Sequence, residues 1–187
     1  MNNIIKLLER TSALMEGHFL LSSGKHSNRY VQCAKVLSYP EYAEMVISEV
    51  VRKISDLDID LIVGPAMGGV IVAYEMGRQL EIPAIFTERK DGEMTLRRGF
   101  EIRKGARVMI AEDVVTTGKS TMETKKVIEE LGGDVIGVAS IIDRTGGESE
   151  LDIPLYSAVK IDIDTFEKEN CPLCKEGSTP VKPGSRN

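Results

Sequence analysis

The segment VMIAEDVVTTGKST, residues 108–121, joins an apolar run to two acids and a hydroxyl-rich turn. Its Gly-Lys-Ser-Thr ending is typical of loops that bind nucleoside triphosphates, which also carry a glycine five positions before the glycine of the Gly-Lys pair. Asp113 occupies that position. Because its carboxylate would repel the phosphates that a glycine lets approach, the sequence excludes a triphosphate-binding loop.

The same segment predicts a site for one phosphate and a sugar. Residues 116–120 form a turn that opens a helix, and the backbone N–H groups and hydroxyls of such a turn suit a single phosphate monoester. Glu112 and Asp113 precede the turn, and carboxylates accept hydrogen bonds from vicinal hydroxyls, as in ribose recognition. A phosphate-binding turn beside two acids indicates a ribose 5-phosphate site.

Apolar runs alternate with helical patterns on both sides of this segment. The predicted strands are IDLIVG (59–64), AIFT (84–87), ARVMIAED (106–113) and DVIGVASIID (134–143), with YSAVKID (156–162) as an edge strand. Continuous apolar runs that alternate with helices are typical of a parallel sheet covered on both faces. We therefore predict an α/β fold whose ligands bind at the carboxyl ends of the strands.

The residues before this pattern predict a smaller N-terminal region. Apolar positions over 2–16 follow a helical period, and Gly17 is suited to end that helix. Two short strands are predicted at HFLL (18–21) and RYVQC (29–33). A second helix is predicted from Pro40 to about residue 54, because proline is tolerated in a first helical turn.

The composition favours one cytoplasmic globular domain over residues 1–187. Of the 187 residues, 42% are hydrophobic and 28% are charged, which suits a single well-filled core. The net charge of −5 gives no global basic field that would attract nucleic acid or an anionic membrane. No run approaches the roughly 18 apolar residues of a membrane span, and the N-terminus lacks the continuous apolar run of a signal peptide.

Residues 108–120, VMIAEDVVTTGKS, closely resemble the signature of the type I phosphoribosyltransferases, which bind 5-phosphoribosyl 1-pyrophosphate (PRPP). The resemblance implies that family's fold, a mostly parallel central sheet flanked by helices, with a small N-terminal hood and a mobile loop. It divides the chain into a base-binding hood (about 1–40), a PRPP-binding core (about 41–165) and a C-terminal tail (about 166–187). The residues that it assigns to PRPP in this segment are Glu112, Asp113, Val114, Val115, Thr116, Thr117, Gly118, Lys119 and Ser120.

Two further segments match the family's PRPP site. The match to its pyrophosphate loop consists of Gly64, Pro65, Ala66, Met67 and Gly68. An ordinary glycine turn is the alternative there. TERKDGEMTLRRGFEI (87–102) matches the mobile loop, which begins Arg-Lys, and a solvated hairpin is the alternative. Cations that close over a departing pyrophosphate stabilise its charge, and the implied catalytic residues are Arg89, Lys90 and Asp113.

The resemblance extends to the family members that use orotate. LLSSGKHSNRY (20–30) is similar to their base-binding segment, Arg144 follows an aspartate as their base-contacting arginine does, and the ending from residue 171 resembles that of some bacterial members. The residues assigned to orotate are Ser23, Gly24, Lys25, Tyr30, Thr116 and Arg144.

The sequence departs from these orotate-specific members at three places. Ser22 replaces a lysine, Met67 and Gly68 replace a Tyr-Lys pair, and the mobile loop lacks a further lysine and a histidine. Three other cations are candidates to replace them: Lys25, Arg97 and Arg98.

The resemblance implies transfer of a 5-phosphoribosyl group from PRPP to orotate, giving orotidine 5′-monophosphate for pyrimidine biosynthesis. It also implies Mg²⁺, held mainly by PRPP with Glu112 and Asp113 nearby and no direct protein ligand assigned. A homodimer is implied because the family's mobile loop commonly serves the neighbouring subunit. Two alternatives stay open, namely a phosphoribosyltransferase for a purine base such as adenine or xanthine, and a regulator that senses PRPP without turnover.

The cysteines and histidines receive no firm role from these patterns. Cys171 and Cys174 form a C-x-x-C pair, which suits a redox pair or half of an intermolecular metal site, with two reduced cysteines on a turn as the alternative. A zinc ribbon needs a second cysteine pair, and the sequence has none. His26 is a candidate for catalysis, with a structural role as the alternative.

Overall fold

The computed structural model describes residues 3–21, 23–147, 149 and 151–183. They belong to two compact units, a small unit of residues 1–36 and 162–187 and a large unit of residues 37–161. Within the described residues, no helix is both long and apolar enough to cross a membrane.

Helices and short strands alternate along most of the chain. The helices are α1 (Asn3–Arg10), α2 (Ala34–Leu37), α3 (Pro40–Ile54), α4 (Gly68–Leu80), α5 (Lys119–Glu130) and α6 (Pro172–Lys175). The strands are β1 (Leu14–Leu20), β2 (His26–Val31), β3 (Leu61–Pro65), β4 (Ala84–Lys90), β5 (Glu93–Leu96), β6 (Arg107–Val115), β7 (Asp134–Asp143), β8 (Leu155–Lys160) and β9 (Thr165–Phe166).

The large unit is built on a six-stranded sheet in the order β5-β4-β3-β6-β7-β8. Neighbouring strands are parallel except for the antiparallel pair β4–β5. This confirms the predicted α/β class with a mostly parallel sheet, and it places β8 at an edge as predicted. The carboxyl ends of β3, β6 and β7 therefore meet at one side of the sheet.

The core of the large unit explains why its strands are continuous apolar runs. All five residues of β3 are buried, and so is most of β6 and β7. Because successive side chains of a strand point to opposite faces, both faces of these strands must be covered. Val63, Ile110 and Val138 belong to one buried cluster that also contains Ile128 of α5. Helix packing against the sheet thus fixes the position of the β6–α5 junction.

The small unit contains a three-stranded antiparallel sheet in the order β1-β2-β9. The predicted helix over 2–16 is wrong beyond residue 10. The Thr11 hydroxyl donates to the carbonyls of Leu7 (2.9 Å) and Leu8 (3.2 Å), and Ser12 has a φ of 55°, so the helix ends there. Leu14 then pairs with Val31 in the β1–β2 ladder, and tertiary pairing overrides the helical period of residues 11–16.

Candidate active site

The segment that joins β6 to α5 forms a cavity at the carboxyl end of the sheet. Gly118 has a φ of 85° and precedes the first residue of α5, a conformation that glycine adopts without steric cost. The cavity has a volume of about 280 Å³ and is lined by residues 114–121 and Arg89. Backbone N–H groups at the start of a helix favour an anion. The structure therefore brings the predicted phosphate turn and one predicted lid cation to a single cavity.

Glu112 is turned into the protein at the end of β6. Its side chain is buried, and its Oε1 accepts hydrogen bonds from the hydroxyls of Ser120 (2.8 Å) and Thr121 (3.3 Å). Burial is the main cause that raises its pKa to about 7, and the neighbouring Asp113 charge raises it further. Glu112, assigned above to ribose, here ties the strand to the first turn of α5. Thr121 was not assigned to the site from the sequence. Its hydroxyl, one position beyond the predicted turn, was the available signal for this contact with Glu112.

Asp113 packs against the glycine-rich loop that follows β3. Its Oδ1 accepts a hydrogen bond from the Val114 backbone N–H (2.9 Å), and burial raises its pKa. A Cβ atom added at Gly68 would overlap the Asp113 carboxyl group. The structure thus brings an acid of the phosphate segment into contact with a glycine of the predicted pyrophosphate loop.

The glycines of this loop are required by contacts within the protein. A Cβ at Gly64 would overlap the Gly69 carbonyl, and a Cβ at Gly69 would lie 2.5 Å from the carbonyl oxygen of Ala111 on β6. The Ala66–Met67 peptide bond is cis. Close packing of the loop on itself and on β6 therefore demands these glycines, whether or not a pyrophosphate binds there.

The segment predicted as a mobile loop is a β-hairpin over β4 and β5. Lys90 pairs with Glu93 across the ladder, and the turn residues Asp91 and Gly92 have φ values of 53° and 91°. These positive values are typical of a tight hairpin turn. The alternative reading of a hairpin therefore describes the backbone of residues 84–96.

Three arginines of the segment over residues 87–102 form ion pairs with nearby acids. Arg89 pairs with Glu123 of α5 and donates to the Gly92 carbonyl (2.8 Å). Arg97 (3.5 Å) and Arg98 (3.0 Å) both pair with Glu88. Arg97 and Arg98, candidates to replace absent family cations, are held here by an acid of their own hairpin.

The backbone of Arg144 is fixed beside β6, directly after β7. Its N–H donates to the Val115 carbonyl (2.8 Å), and Asp143 Oδ1 accepts from the Thr145 N–H (2.8 Å). The Arg144 side chain is half-buried, and Thr116 is exposed. The two orotate-assigned residues of the large unit thus follow the ends of adjacent strands.

The small unit gathers three of its assigned base-binding residues on the turn between β1 and β2. Gly24 has a φ of 86°, and the Leu21 N–H donates to the Lys25 carbonyl (2.9 Å) across the turn. Lys25 pairs with Glu167 (2.9 Å), and both side chains are exposed. Tyr30 lies farther along β2, with its ring against Phe19. Ser22 lies outside the described residues.

Comparisons with known proteins place these features in a family. Residues 41–174 match the model of the phosphoribosyl transferase domain. The chain is 52% identical over 183 residues to an orotate phosphoribosyltransferase of Caldanaerobacter subterraneus subsp. tengcongensis, covering 98% of this chain and 96% of that protein.

Solved structures are similar at lower identity, which shows the fold alone. A UMP synthase of Leishmania donovani has a TM-score of 0.74 at 24% identity, over 85% of this chain and 36% of that one. An orotate phosphoribosyltransferase of Aeropyrum pernix has a TM-score of 0.70 at 23% identity, over 84% and 93% of the two chains. The present chain spans about a third of the Leishmania chain and nearly all of the Aeropyrum one.

Proposed function

The chain belongs to the phosphoribosyl transferase domain family, and from this we propose that it transfers the 5-phosphoribosyl group of PRPP to orotate. The products are orotidine 5′-monophosphate and pyrophosphate, and the reaction serves pyrimidine biosynthesis. The observation that carries the proposal is the cavity at the β6–α5 junction, where the turn of residues 116–120 and Arg89 share one lining, directly after Asp113, which packs against Gly68. The 52% identity to an orotate phosphoribosyltransferase supports orotate as the acceptor.

Each part of PRPP has a proposed place in the large unit. The 5-phosphate binds the backbone N–H groups of residues 116–120 at the start of α5. Asp113 accepts hydrogen bonds from the ribose hydroxyls, while Glu112, already bonded to Ser120, holds the strand end and the turn together. The pyrophosphate lies towards residues 64–68, because Gly68 packs directly against Asp113.

The reaction breaks the bond between ribose C1 and the pyrophosphate oxygen and forms a bond from C1 to a ring nitrogen of orotate. Its transition state resembles an oxocarbenium ion, as in glycoside cleavage. Since the nitrogen is easily deprotonated, positioning and neutralisation of the pyrophosphate supply most of the catalysis. We assign that neutralisation to Arg89 and Lys90 on the hairpin. Arg89 then exchanges its Glu123 partner for the leaving group.

The residues present fit a magnesium ion that is held mainly by the substrate. Mg²⁺ prefers oxygen ligands, keeps several waters and binds through substrate phosphates with one or two carboxylates. Among the described residues, the one group of three or more potential metal ligands contains no residue that lines this cavity. Asp113 is the carboxylate that would approach the ion there. When bound, Mg²⁺ would offset charge on the pyrophosphate.

The residues assigned to orotate carry groups that suit an anionic ring. Arg144 and Lys25 are cationic, and Ser23, Gly24 and Thr116 offer hydrogen-bonding groups. Orotate carries a carboxylate, which cationic side chains stabilise, whereas adenine and xanthine carry none. This difference favours orotate over a purine base. A regulator that only senses PRPP is disfavoured because the relative at 52% identity is an orotate phosphoribosyltransferase.

A homodimer is proposed from an apolar face at the start of α4. Met67, Ile71 and Tyr74 are spaced four and three residues apart, so they lie on one side of the helix. Their exposed fractions are 86%, 47% and 70%. Large apolar side chains grouped in this way mark an interface, and a second copy of the chain is the proposed partner.

The test is a panel of bases incubated with PRPP, Mg²⁺ and the protein. Loss of orotate absorbance, with no turnover of adenine, xanthine, hypoxanthine, guanine or uracil, is the expected result. Turnover of a purine in place of orotate would contradict the base assignment while keeping PRPP as the donor. Binding of PRPP without turnover of any base would contradict the proposed enzyme.

A further inference from the structure

Four metal-ligating side chains meet inside the small unit, and none of them lines the proposed PRPP cavity. This group, the His–Cys cluster, consists of His18, His26, Cys171 and Cys174. One nitrogen or sulfur atom from each lies within 4.8 Å of the others. We propose that the His–Cys cluster binds one structural Zn²⁺ ion.

The distances within the cluster are close to those of a tetrahedral site. Bond lengths of about 2.0–2.1 Å to nitrogen and 2.3 Å to sulfur give tetrahedral edges of about 3.3 Å between nitrogens and about 3.5 Å between nitrogen and sulfur. His18 Nε2 lies 3.5 Å from Cys171 Sγ and 3.8 Å from Cys174 Sγ, and His26 Nδ1 lies 3.3 Å from Cys174 Sγ. The two nitrogens are 2.8 Å apart, so the rings need to separate by about half an ångström to admit the ion.

The donor set is the one that zinc prefers. Two thiolates and two imidazoles form the Cys₂His₂ set of structural zinc sites, in which four protein ligands leave no open position. Binding releases the two thiol protons to solvent and leaves the oxidation state of every atom unchanged. A zinc ribbon would complement Cys171 and Cys174 with a second cysteine pair. The second pair consists instead of the histidines that flank the β1–β2 turn.

Burial and a supporting hydrogen bond distinguish the cluster from a surface grouping. His18, His26 and Cys171 are exposed by only 7%, 3% and 0%. His18 Nδ1 lies 3.1 Å from Ser178 Oγ. If the ring donates its Nδ1 proton to that hydroxyl, the lone pair of Nε2 faces the metal. Zinc-bound histidines are commonly oriented in this way, by a hydrogen bond from the ring nitrogen that does not bind the metal.

The ion would fasten the C-terminal segment to the N-terminal hairpin. Cys171 immediately precedes α6 and Cys174 lies in it. This four-residue helix is too short to be stable by itself. The backbone of the segment pairs on either side of the cluster, with Phe166 beside His26 and with Val181 bonded to the His18 carbonyl (2.8 Å). Zinc would add a cross-link between chain positions that are far apart in sequence.

The first experiment measures metal in the full chain, expressed without a polyhistidine tag in zinc-supplemented medium. Elemental analysis is expected to give about one Zn²⁺ per chain. Cys174→Ser and His26→Asn should lose it, whereas Cys33→Ala, which changes another buried cysteine of the same unit, should retain it. Cys174 is only half-buried, so its serine variant is expected to fold.

Cobalt supplies an independent readout of the ligands. The apoprotein, loaded with Co²⁺ under reducing conditions, should show the intense visible bands of a tetrahedral ion and a near-ultraviolet thiolate charge-transfer band. Both should be missing from Cys174→Ser. The proposal would be overturned by wild-type protein that takes up neither metal, by equal metal loss in Cys33→Ala, or by a Cys171–Cys174 disulfide in freshly purified protein.

The site also has a consequence for orotate, which rests on the proposed function. His18 and His26 lie before and after the turn that carries Ser23, Gly24 and Lys25, so the metal would hold both ends of that turn. Chelation of zinc is expected to raise KM for orotate at least several-fold more than KM for PRPP. Equal changes in the two KM values would contradict this consequence, and failure of orotate turnover in the intact protein would contradict the proposed function instead.

Discussion

At the scale of the residue, Glu112 combines burial with an ionisable group. Its folded-state pKa of about 7 lies above its ordinary value of 4.5, and burial is the main cause. A carboxyl whose pKa is raised on folding stabilises the protein most below the unfolded pKa, and that stability is lost as pH rises towards the folded pKa. The free energy of unfolding should therefore fall between about pH 4.5 and 7 and then level off.

Glu112→Gln is expected to remove this pH dependence, because glutamine keeps an oxygen that accepts from Ser120 and Thr121. Without PRPP and Mg²⁺, the variant should exceed wild type in free energy of unfolding by about 3 kcal/mol at pH 8.5, and by less than about 1 kcal/mol at pH 5. Urea unfolding at the two pH values measures the difference. Glu101→Gln, at an exposed position, should change little. An equal difference at both pH values would contradict the argument.

At the scale of the element, the hairpin of β4 and β5 is proposed to act through Lys90. Lys90→Ala is expected to lower kcat by two or more orders of magnitude, because a cation over the leaving pyrophosphate acts chiefly in the transition state. Steady-state kinetics with PRPP and orotate measure the loss, and circular dichroism checks the fold.

Lys104→Ala supplies the matched control for the hairpin. It removes an exposed lysine just before β6, at the opposite end of the strand from the phosphate turn. Its kcat should stay within about twofold of wild type, since surface substitutions away from a site have small effects. If Lys90→Ala were as active as Lys104→Ala, the proposed role of the hairpin in catalysis would be contradicted.

The strands of the large unit could be predicted from the sequence because their signal is local. DVIGVASIID was predicted as a strand over 134–143, and β7 has those bounds. A buried parallel strand is apolar along its whole length, so no knowledge of its neighbours is needed. The helix predicted from Pro40 to residue 54 also rests on a local signal, a proline in its first turn, and α3 confirms it.

Features set by distant partners could not be predicted in this way. Residues 11–16 keep a helical period, yet the ladder with β2 makes Leu14–Leu20 a strand. Cys171 and His18 are 153 positions apart, so spacing alone could not join them. For Glu112 a local signal existed, because adjacent strand residues point to opposite faces and the acids at 112 and 113 could not both face the same ligand.

At the scale of the whole molecule, the proposed dimer determines which active site each hairpin can serve, that of its own chain or that of the partner. The exposed face of Met67, Ile71 and Tyr74 supports association. If each hairpin acts on the partner's site, one complete site needs Asp113 from one chain and Lys90 from the other. Dimers that carry a different defect in each chain separate this arrangement from one in which each chain completes its own site.

The decisive sample is a dimer of one Asp113→Asn chain and one Lys90→Ala chain, isolated by two different affinity tags. If the hairpin serves the partner, one site of the two is intact, and the dimer should show about half of the wild-type rate. Both parent homodimers should be nearly inactive. If each chain completes its own site, both sites of the mixed dimer are damaged, and its rate should match those of the parents.

A reciprocal dimer controls for damage by the mixing itself. It pairs a wild-type chain with a chain that carries both Asp113→Asn and Lys90→Ala. When the hairpin serves the partner, each site in this dimer has one defect, so turnover should be lost although one chain is unaltered. When each chain completes its own site, about half of the wild-type rate should remain. Opposite outcomes for the two mixed dimers therefore decide the assignment, and a chain that elutes as a monomer would contradict the dimer itself.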